Sequence, residues 1–311
     1  LIVTLTPNPS VDRTIFVDAL PPGTVVRATE SFSEPSGKGV NVSLALHAHG
    51  TPTVAVLPLG GAVGAQLAGM LDGRGLPYRP VPVTGEVRAN ISLVQPDGTV
   101  TKINEGGPTL SGAEADRLAS TALDAAAGAR WLVACGSLPP GVSPDFYARL
   151  VGSAREQGLL VAVDTSGASL RAVLTAGPDL VKPNLDELAE VTGRTLRSFA
   201  DVLAAATEVR DLGAAAVLAS LGPDGALLLD GNGPLWGEAP SVPIVSTVGA
   251  GDAMLAGFLA AGGHGEKALA GGLAWASAAV QHHGTLFTTT GVPVSVAMTS
   301  TAPDRSLAGP G

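Results

Sequence analysis

Residues 131–164 read WLVACGSLPPGVSPDFYARLVGSAREQGLLVAVD, and this stretch decides the fold. An unbroken apolar run, Trp131–Gly136, stops at a glycine. A stretch with helical spacing follows over Pro144–Gly158, then a second apolar run over Leu159–Asp164. Unbroken apolar runs of this length fit strands buried on both faces. Two such strands joined through a helix form a βαβ unit, which makes them parallel neighbours. The alternation continues in both directions. Leu1–Thr6, Thr53–Leu59, Leu180–Asn184, Ala215–Leu221 and Ala226–Asp230 read as strands. Val40–Gly50, Ala62–Gly73, Ala113–Ala127, Asp186–Gly193, Asp201–Gly213, Gly251–Ala261 and Glu266–His282 read as helices. The expectation is an α/β fold, one domain over residues 1–311, with a mostly parallel sheet flanked by helices. Ligands in such sheets bind beyond the carboxyl ends of the strands, so the polar residues there are the candidates for function.

Two segments interrupt the pattern. Thr14–Glu34 and Gly85–Glu105 alternate apolar and polar residues around Pro-Pro-Gly and Pro-Asp-Gly turns. Both read as antiparallel hairpins. Together, over about 12–35 and 85–106, they are expected to build a small antiparallel β lid over the main domain. One apolar face (Phe16, Val26, Ile91, Leu93, Ile103) would need cover, which a second subunit's lid would supply; a homodimer through the lid is the expectation. An edge extension of the main sheet is the alternative. Residues 290–311, rich in Ser, Thr, Pro and Gly, are expected to form an irregular tail.

Composition narrows the function. With 45% hydrophobic and 14% charged residues the chain is not disordered. A net charge of −9 and no basic cluster argue against nucleic acid as a partner. No apolar stretch is long enough for a membrane helix. A sole cysteine, Cys135, and no basic leader point to a cytoplasmic protein without disulfides.

The sharpest local signal is Ser246–Asp252, STVGAGD, at the head of a small-residue helix. A Gly-Ala-Gly turn that opens a helix presents free backbone N–H groups with the helix dipole behind them, a cradle for anionic oxygens. Asp252 stands in the first helical turn, where it can be a base or merely a cap. Asn184 and Glu187, three apart at a helix start, are either a capping box or holders of a hydrated Mg²⁺. In Ser220–Gly225, SLGPDG, the glycines Gly222 and Gly225 allow close backbone approach or make a simple turn. Asp12 ends TPNPSVD where the lid begins; Gly37, Lys38, Gly39 and Asn41 open a helix with hydroxyl-binding donors. Arg88 and Asn90 share one face of a lid strand, and Arg88 with a hydroxyl such as Ser137 suits a phosphate ester. Neither a G-x-G-x-x-G nor a Walker A pattern is present, which counts against a dehydrogenase and a P-loop enzyme.

TPNPSVD, SGKGVN, GSLPPGV, VKPNLDE, SLGPDG and STVGAGD occur in this order over residues 1 to about 290. Together they resemble the PfkB (ribokinase-like) carbohydrate kinase family. With KINEGGP at Lys102–Pro108 they are most similar to its branch acting on phosphorylated hexoses, the 1-phosphofructokinase group first. The resemblance implies a ribokinase-like fold and an ATP-dependent kinase for a ketohexose phosphate. It puts fructose 1-phosphate to fructose 1,6-bisphosphate first, with tagatose 6-phosphate or fructose 6-phosphate as alternative acceptors. A kinase for an unphosphorylated sugar and a non-catalytic sugar-phosphate sensor are the more distant readings. By the resemblance, Asp252 is the catalytic base and Gly249, Ala250 and Gly251 form the anion hole. Asp12, Gly37, Lys38, Gly39 and Asn41 meet the sugar hydroxyls, and Arg88, Asn90 and Ser137 lie near its phosphate. Lys182, Asn184, Ser220, Gly222, Gly225 and Thr247 serve the nucleotide, and Asn184 and Glu187 hold Mg²⁺ through water.

Overall fold

A computed structural model describes residues 1–282, 284, 287 and 297–308. The apolar runs form the strands of the main sheet: β1 (Ile2–Leu5), β4 (Thr53–Leu59), β5 (Tyr78–Pro82), β8 (Trp131–Cys135), β9 (Leu160–Asp164), β10 (Leu180–Val181) and β11 (Val217–Ser220). These seven are parallel, in the order β11-β10-β9-β8-β1-β4-β5. β12 (Ala226–Asp230), β13 (Gly233–Glu238) and β14 (Ala297–Thr299) extend the β11 edge with antiparallel pairings.

Both faces are covered, as parallel sheets require. α3 (Gly112–Ala125), α4 (Phe146–Glu156), α5 (Gly167–Leu174), α6 (Leu185–Thr192) and α7 (Phe199–Asp211) pack on one face. α1 (Lys38–Ala48), α2 (Gly61–Asp72), α8 (Ala250–Ala260) and α9 (Gly265–Ala279) pack on the other. The period of two is visible along β8. Leu132 and Ala134 enter the first core, whereas Trp131, Val133 and Cys135 enter the second. α8 and α9 touch through glycines: a Cβ on Gly257 would stand 2.5 Å from the Gly271 carbonyl oxygen. Among the described residues no helix is long and apolar enough to cross a membrane.

The two interruptions meet in a separate four-stranded sheet, in the order β3-β2-β6-β7. Its strands are β2 (Ser10–Phe16), β3 (Glu30–Ser36), β6 (Arg88–Val94) and β7 (Val100–Asn104). Each excursion is an antiparallel hairpin, but β2 and β6 pair in parallel, Asp12 opposite Asn90. This register corrects the expected apolar face. Phe16 shares a face with Asp12, Asn90 and Lys102, while Ile15, Ile91, Leu93 and Ile103 lie on the opposite one. Val26 precedes β3 and belongs to neither strand row.

The expected irregular tail falls partly on residues that are described: Ala297–Thr299 is a short strand, and residues 300–308 form no helix or strand beyond a single bridge. Residues 288–296 and 309–311 lie outside the described residues. Those that are described are docked: β14 pairs with β13, and Ser306 bridges to Ser198.

Candidate active site

The carboxyl ends of β1, β9, β10 and β11 deliver most candidate residues to one edge of the main sheet, beside the base of the lid. There α8 begins at Gly249, whose φ of 79° is a left-handed conformation that glycine adopts without steric cost. No side chain caps this helix. Its first amides therefore lack intrahelical partners, that of Ala250 reaching the Thr247 carbonyl at a long 3.4 Å, and the helix dipole stands behind them. Asp252, the third residue of α8, does not act as the cap. Its Oδ2 accepts a hydrogen bond of 2.8 Å from Asn41 Nδ2 on α1. Only 7% exposed, it is pushed up to about 6 by burial and by the nearby Asp164 carboxylate; Asn41, Lys38 and Lys182 pull the other way.

Beneath this turn lies a charge network with Asp164, the last residue of β9, at its centre. Asp164 is fully buried and receives Lys38 Nζ at 2.7 Å and Lys182 Nζ at 2.9 Å. Burial alone would raise its carboxyl, but the two ammonium groups outweigh this and hold it below the usual carboxylate range. Lys38 also reaches Glu187 Oε1 at 3.3 Å. Burial disfavours the Lys38 ammonium, yet Asp164 and Glu187 raise its pKa overall. Lys182 is 4% exposed, and a Cβ on Gly251 would stand 3.3 Å from its Nζ, so a positive charge sits directly under the amide turn. The sequence reading did not single out Asp164, although its place at a strand end was a usable signal. Removing either partner of such a buried pair typically costs about 3–5 kcal/mol.

Asn184 and Glu187 form the capping box at the start of α6. Asn184 Oδ1 accepts from the Glu187 amide at 2.8 Å, and Glu187 Oε2 accepts from the Asn184 amide at 2.9 Å. Ser220 bridges to Asn184 across adjacent strand ends. Gly222 opens a 3-10 turn, Gly222–Asp224, with φ at 59° and open space where a side chain would be. Gly225 serves strand packing instead: its Cβ would meet the Gly237 carbonyl oxygen at 2.1 Å. Thr247 is exposed just before α8. Gly37 and Gly39 are likewise demanded by the chain itself. Side chains there would collide with Thr6, at 2.8 and 2.4 Å, so these glycines seat α1 closely on the end of β1.

The lid brings a second set of residues together. Asp12 Oδ1 accepts from Ser10 Oγ at 2.7 Å and from Asn90 Nδ2 at 2.9 Å. Arg88 donates from Nη1 to the Glu105 carbonyl and from Nη2 to the Asn8 carbonyl, each at 3.1 Å. Burial lowers the Arg88 pKa, with Asp12 and Glu105 opposing. Asn8 Nδ2 donates to the Gly106 carbonyl at 3.1 Å and, at 3.4 Å, to Ser137 Oγ. Arg88 Nε, Asn8 Oδ1 and Asn90 Oδ1 are buried with no protein partner among the described residues. Buried polar atoms are normally paired, so this cluster is chemically incomplete on its own and suited to a polar guest. Among the described residues no three His, Cys, Asp or Glu side chains converge to bind a metal directly. A groove of about 250 Å³ at the opposite end of the strands, lined by Arg130, Trp131 and His264, shares no residue with these clusters.

Comparison with known proteins agrees with this architecture. A family model described as pfkB family carbohydrate kinase matches residues 6–290. A 1-phosphofructokinase of Haloferax volcanii is 41% identical over 85% of this chain and 85% of its own length. One of Rhodobacter capsulatus is 40% identical over 83% of this chain and 82% of its own. The crystal structure of phosphofructokinase-2 from Escherichia coli in complex with fructose-6-phosphate superposes with a TM-score of 0.84, at 35% identity, covering 90% of this chain and 93% of that one. Likeness on this scale, extending through both the sheet and the lid, is more than a shared fragment: the chain belongs to the pfkB family of carbohydrate kinases.

Proposed function

We propose that this protein transfers the γ-phosphoryl group of ATP to the C6 hydroxyl of fructose 1-phosphate, giving fructose 1,6-bisphosphate and ADP. The observation that carries this reading is Asp252, a buried carboxylate held by Asn41 beside an uncapped helix start and raised to about 6. Asp252 takes the hydroxyl proton as the sugar oxygen bonds to the γ-phosphorus and the bond from that phosphorus to the ADP oxygen breaks. A carboxylate is a weak base towards an alcohol, so positioning carries much of the rate. The amides of Gly249, Ala250 and Gly251 stabilise charge on the transferring oxygens, with the Lys182 ammonium beneath them. Lys38 reaches the same region from α1. Closing the lid excludes water and suppresses ATP hydrolysis.

Mg²⁺ fits Asn184 and Glu187 through water. Glu187 uses one direction on each carboxylate oxygen, for the Asn184 amide and for Lys38. A carboxylate offers about four, so acceptor sites remain for a hydrated ion. Bound there, Mg²⁺ would offset phosphate charge. Arg88, Asn90, Asn8 and Ser137 would receive the substrate's own phosphate, and Asp12 its hydroxyls. A single buried cysteine fits a cytoplasmic enzyme.

The relatives also include an Escherichia coli ATP-dependent 6-phosphofructokinase isozyme 2, 36% identical over 91% of this chain, which keeps fructose 6-phosphate as the second reading. An ADP-release assay with MgATP and four acceptors decides. Fructose 1-phosphate is expected to give kcat/KM at least about tenfold above fructose 6-phosphate and tagatose 6-phosphate, equivalent to about 1.4 kcal/mol, with ribose lowest. Ribose as the best acceptor would overturn the phosphosugar reading, and no ADP from any of them would favour a sensor.

The lid also supports a homodimer. Ile15, Ile91, Leu93 and Ile103 form a contiguous apolar row on the face opposite Asp12 and Asn90, and Ile103 is 52% exposed. Ile103→Lys is expected to turn a dimer into a monomer in light scattering; a dimer that persists refutes the lid interface.

A further inference from the structure

The carboxyl-terminal segment reaches back to the turn that carries Gly222 and Gly225. Asp224, between those glycines, is 4% exposed, and neither of its carboxylate oxygens is left without a donor. Arg305 Nη1 donates to Oδ1, and the Ala308 amide donates to Oδ2 at 2.6 Å. The Arg305 guanidinium is itself fixed from two other sides. Its Nη2 meets Glu238 Oε1 at 2.7 Å, and its central carbon lies 4.7 Å from the centroid of the Phe199 ring. Leu307 and Ser306 stitch the same segment to Arg197 and Ser198 at the start of α7. The turn is tight: Leu221 donates to the Gly225 carbonyl at 2.9 Å, and Gly225 is pressed against Gly237. Gly222 alone leaves open space, on the exposed side of the turn.

We propose that Arg305 is a positioning residue for nucleotide binding, acting through Asp224 to hold the Gly222–Gly225 turn in the shape that receives ATP. The inference rests on the reading above that this turn serves the nucleotide. Its physical basis is the buried carboxylate. Without Arg305, Asp224 keeps a backbone donor but loses its countercharge, and a buried charge without one pulls its loop towards water. The turn would then shift without any change at Asp252, Lys38 or the lid. Neither Arg305 nor Asp224 touches the reacting atoms, so the effect belongs to ATP affinity. Lysine at 305 would keep the charge but could not span Asp224 and Glu238 while stacking on Phe199.

The test uses the full chain with Arg305→Ala, Arg305→Lys, Asp224→Asn and the double variant Arg305→Ala/Asp224→Asn, in initial-rate kinetics and in calorimetric titration with MgATP. Arg305→Ala is expected to weaken MgATP binding and raise the KM for ATP about tenfold, with kcat and the sugar-phosphate KM within twofold. Arg305→Lys should fall between it and the parent, and the double variant should be no weaker than the worse single, as for residues acting as one unit. A lower melting temperature with unchanged ATP affinity, or equal loss for both substrates, overturns the proposal. Gly222→Val separates this failure from that of the reading beneath it. If Gly222→Val weakens MgATP binding and Arg305→Ala does not, only the clamp is refuted. If neither weakens it, the turn is not a nucleotide site and both ideas fall. Should Arg305→Ala fail to fold, the Lys and Asn variants carry the same comparison.

Discussion

Asp252→Asn is expected to lower kcat about 10³-fold, within the 10²–10⁴ that a positioned acid–base group contributes, while MgATP binding stays within threefold. The amide preserves volume and can still accept the Asn41 hydrogen bond, so the turn should keep its shape. What it loses is the capacity to take a proton. The same carboxylate sets a pH dependence whose sign is fixed. Asp252 works as the anion, and burial has raised it to about 6. Below that pH the protonated form dominates and kcat should fall towards about tenfold per unit, while above it kcat levels off. Because the phosphate of the substrate itself titrates near pH 6, the limb is read in kcat at saturation, not in kcat/KM. Undiminished turnover in the variant, or a flat kcat from pH 5 to 8 in the parent, would remove Asp252 from the role of base.

Arg88→Ala should raise the KM for fructose 1-phosphate about 30- to 150-fold, the equivalent of 2–3 kcal/mol for a charge-assisted contact, and change kcat much less. Arg88 spends two donors on the carbonyls of Asn8 and Glu105, which aims the guanidinium into the lid cluster, and its buried Nε has no protein partner. A phosphate beside it would meet Asn8 and Ser137 as well. Arg88→Lys keeps the charge without the fork and should lie between the two. If the KM for phosphorylated sugars does not move, the acceptor is neutral and the lid cluster binds hydroxyls only. Melting curves of the three proteins separate a binding loss from a loosened lid.

Most of the parallel core could be read from residues, because strands buried on both faces announce themselves as apolar runs. The elements that escaped have local causes. Tyr78–Pro82 holds two prolines in five residues, which blur the strand pattern, and β5 lies at the sheet edge, where prolines are best accommodated. Gly167–Leu174 makes only two turns, too short a window for its pattern to stand out between two strands. Gly233–Glu238 and Ala297–Thr299 hold their places by pairing with strands already formed. At the site, Asp252 and Asn184 were visible as residue types at helix starts, but sequence could not separate cap from function. In the fold Asp252 turns to Asn41 and caps nothing, whereas Asn184 and Glu187 cap α6 and keep acceptor sites to spare. Asp164 escaped because its partners, Lys38 at the start of α1 and Lys182 after β10, are distant in sequence, and no local pattern encodes that meeting. The face of Phe16 was available from parity along β2, which places it with Asp12.

The hydrogen bond between Asn41 and Asp252 joins positions 211 residues apart, and the lid joins β2 to a strand nearly eighty positions later. Closing such long loops costs chain entropy before any contact offsets it, so folding through them is slow. During synthesis Asp12, Lys38, Asn41, Arg88, Asn90 and Ser137 all emerge well before α8, which bears Asp252. On the function proposed above, a prematurely terminated chain therefore holds every residue assigned to the sugar phosphate yet lacks the base, so catalytic competence waits on one of the last elements to be made.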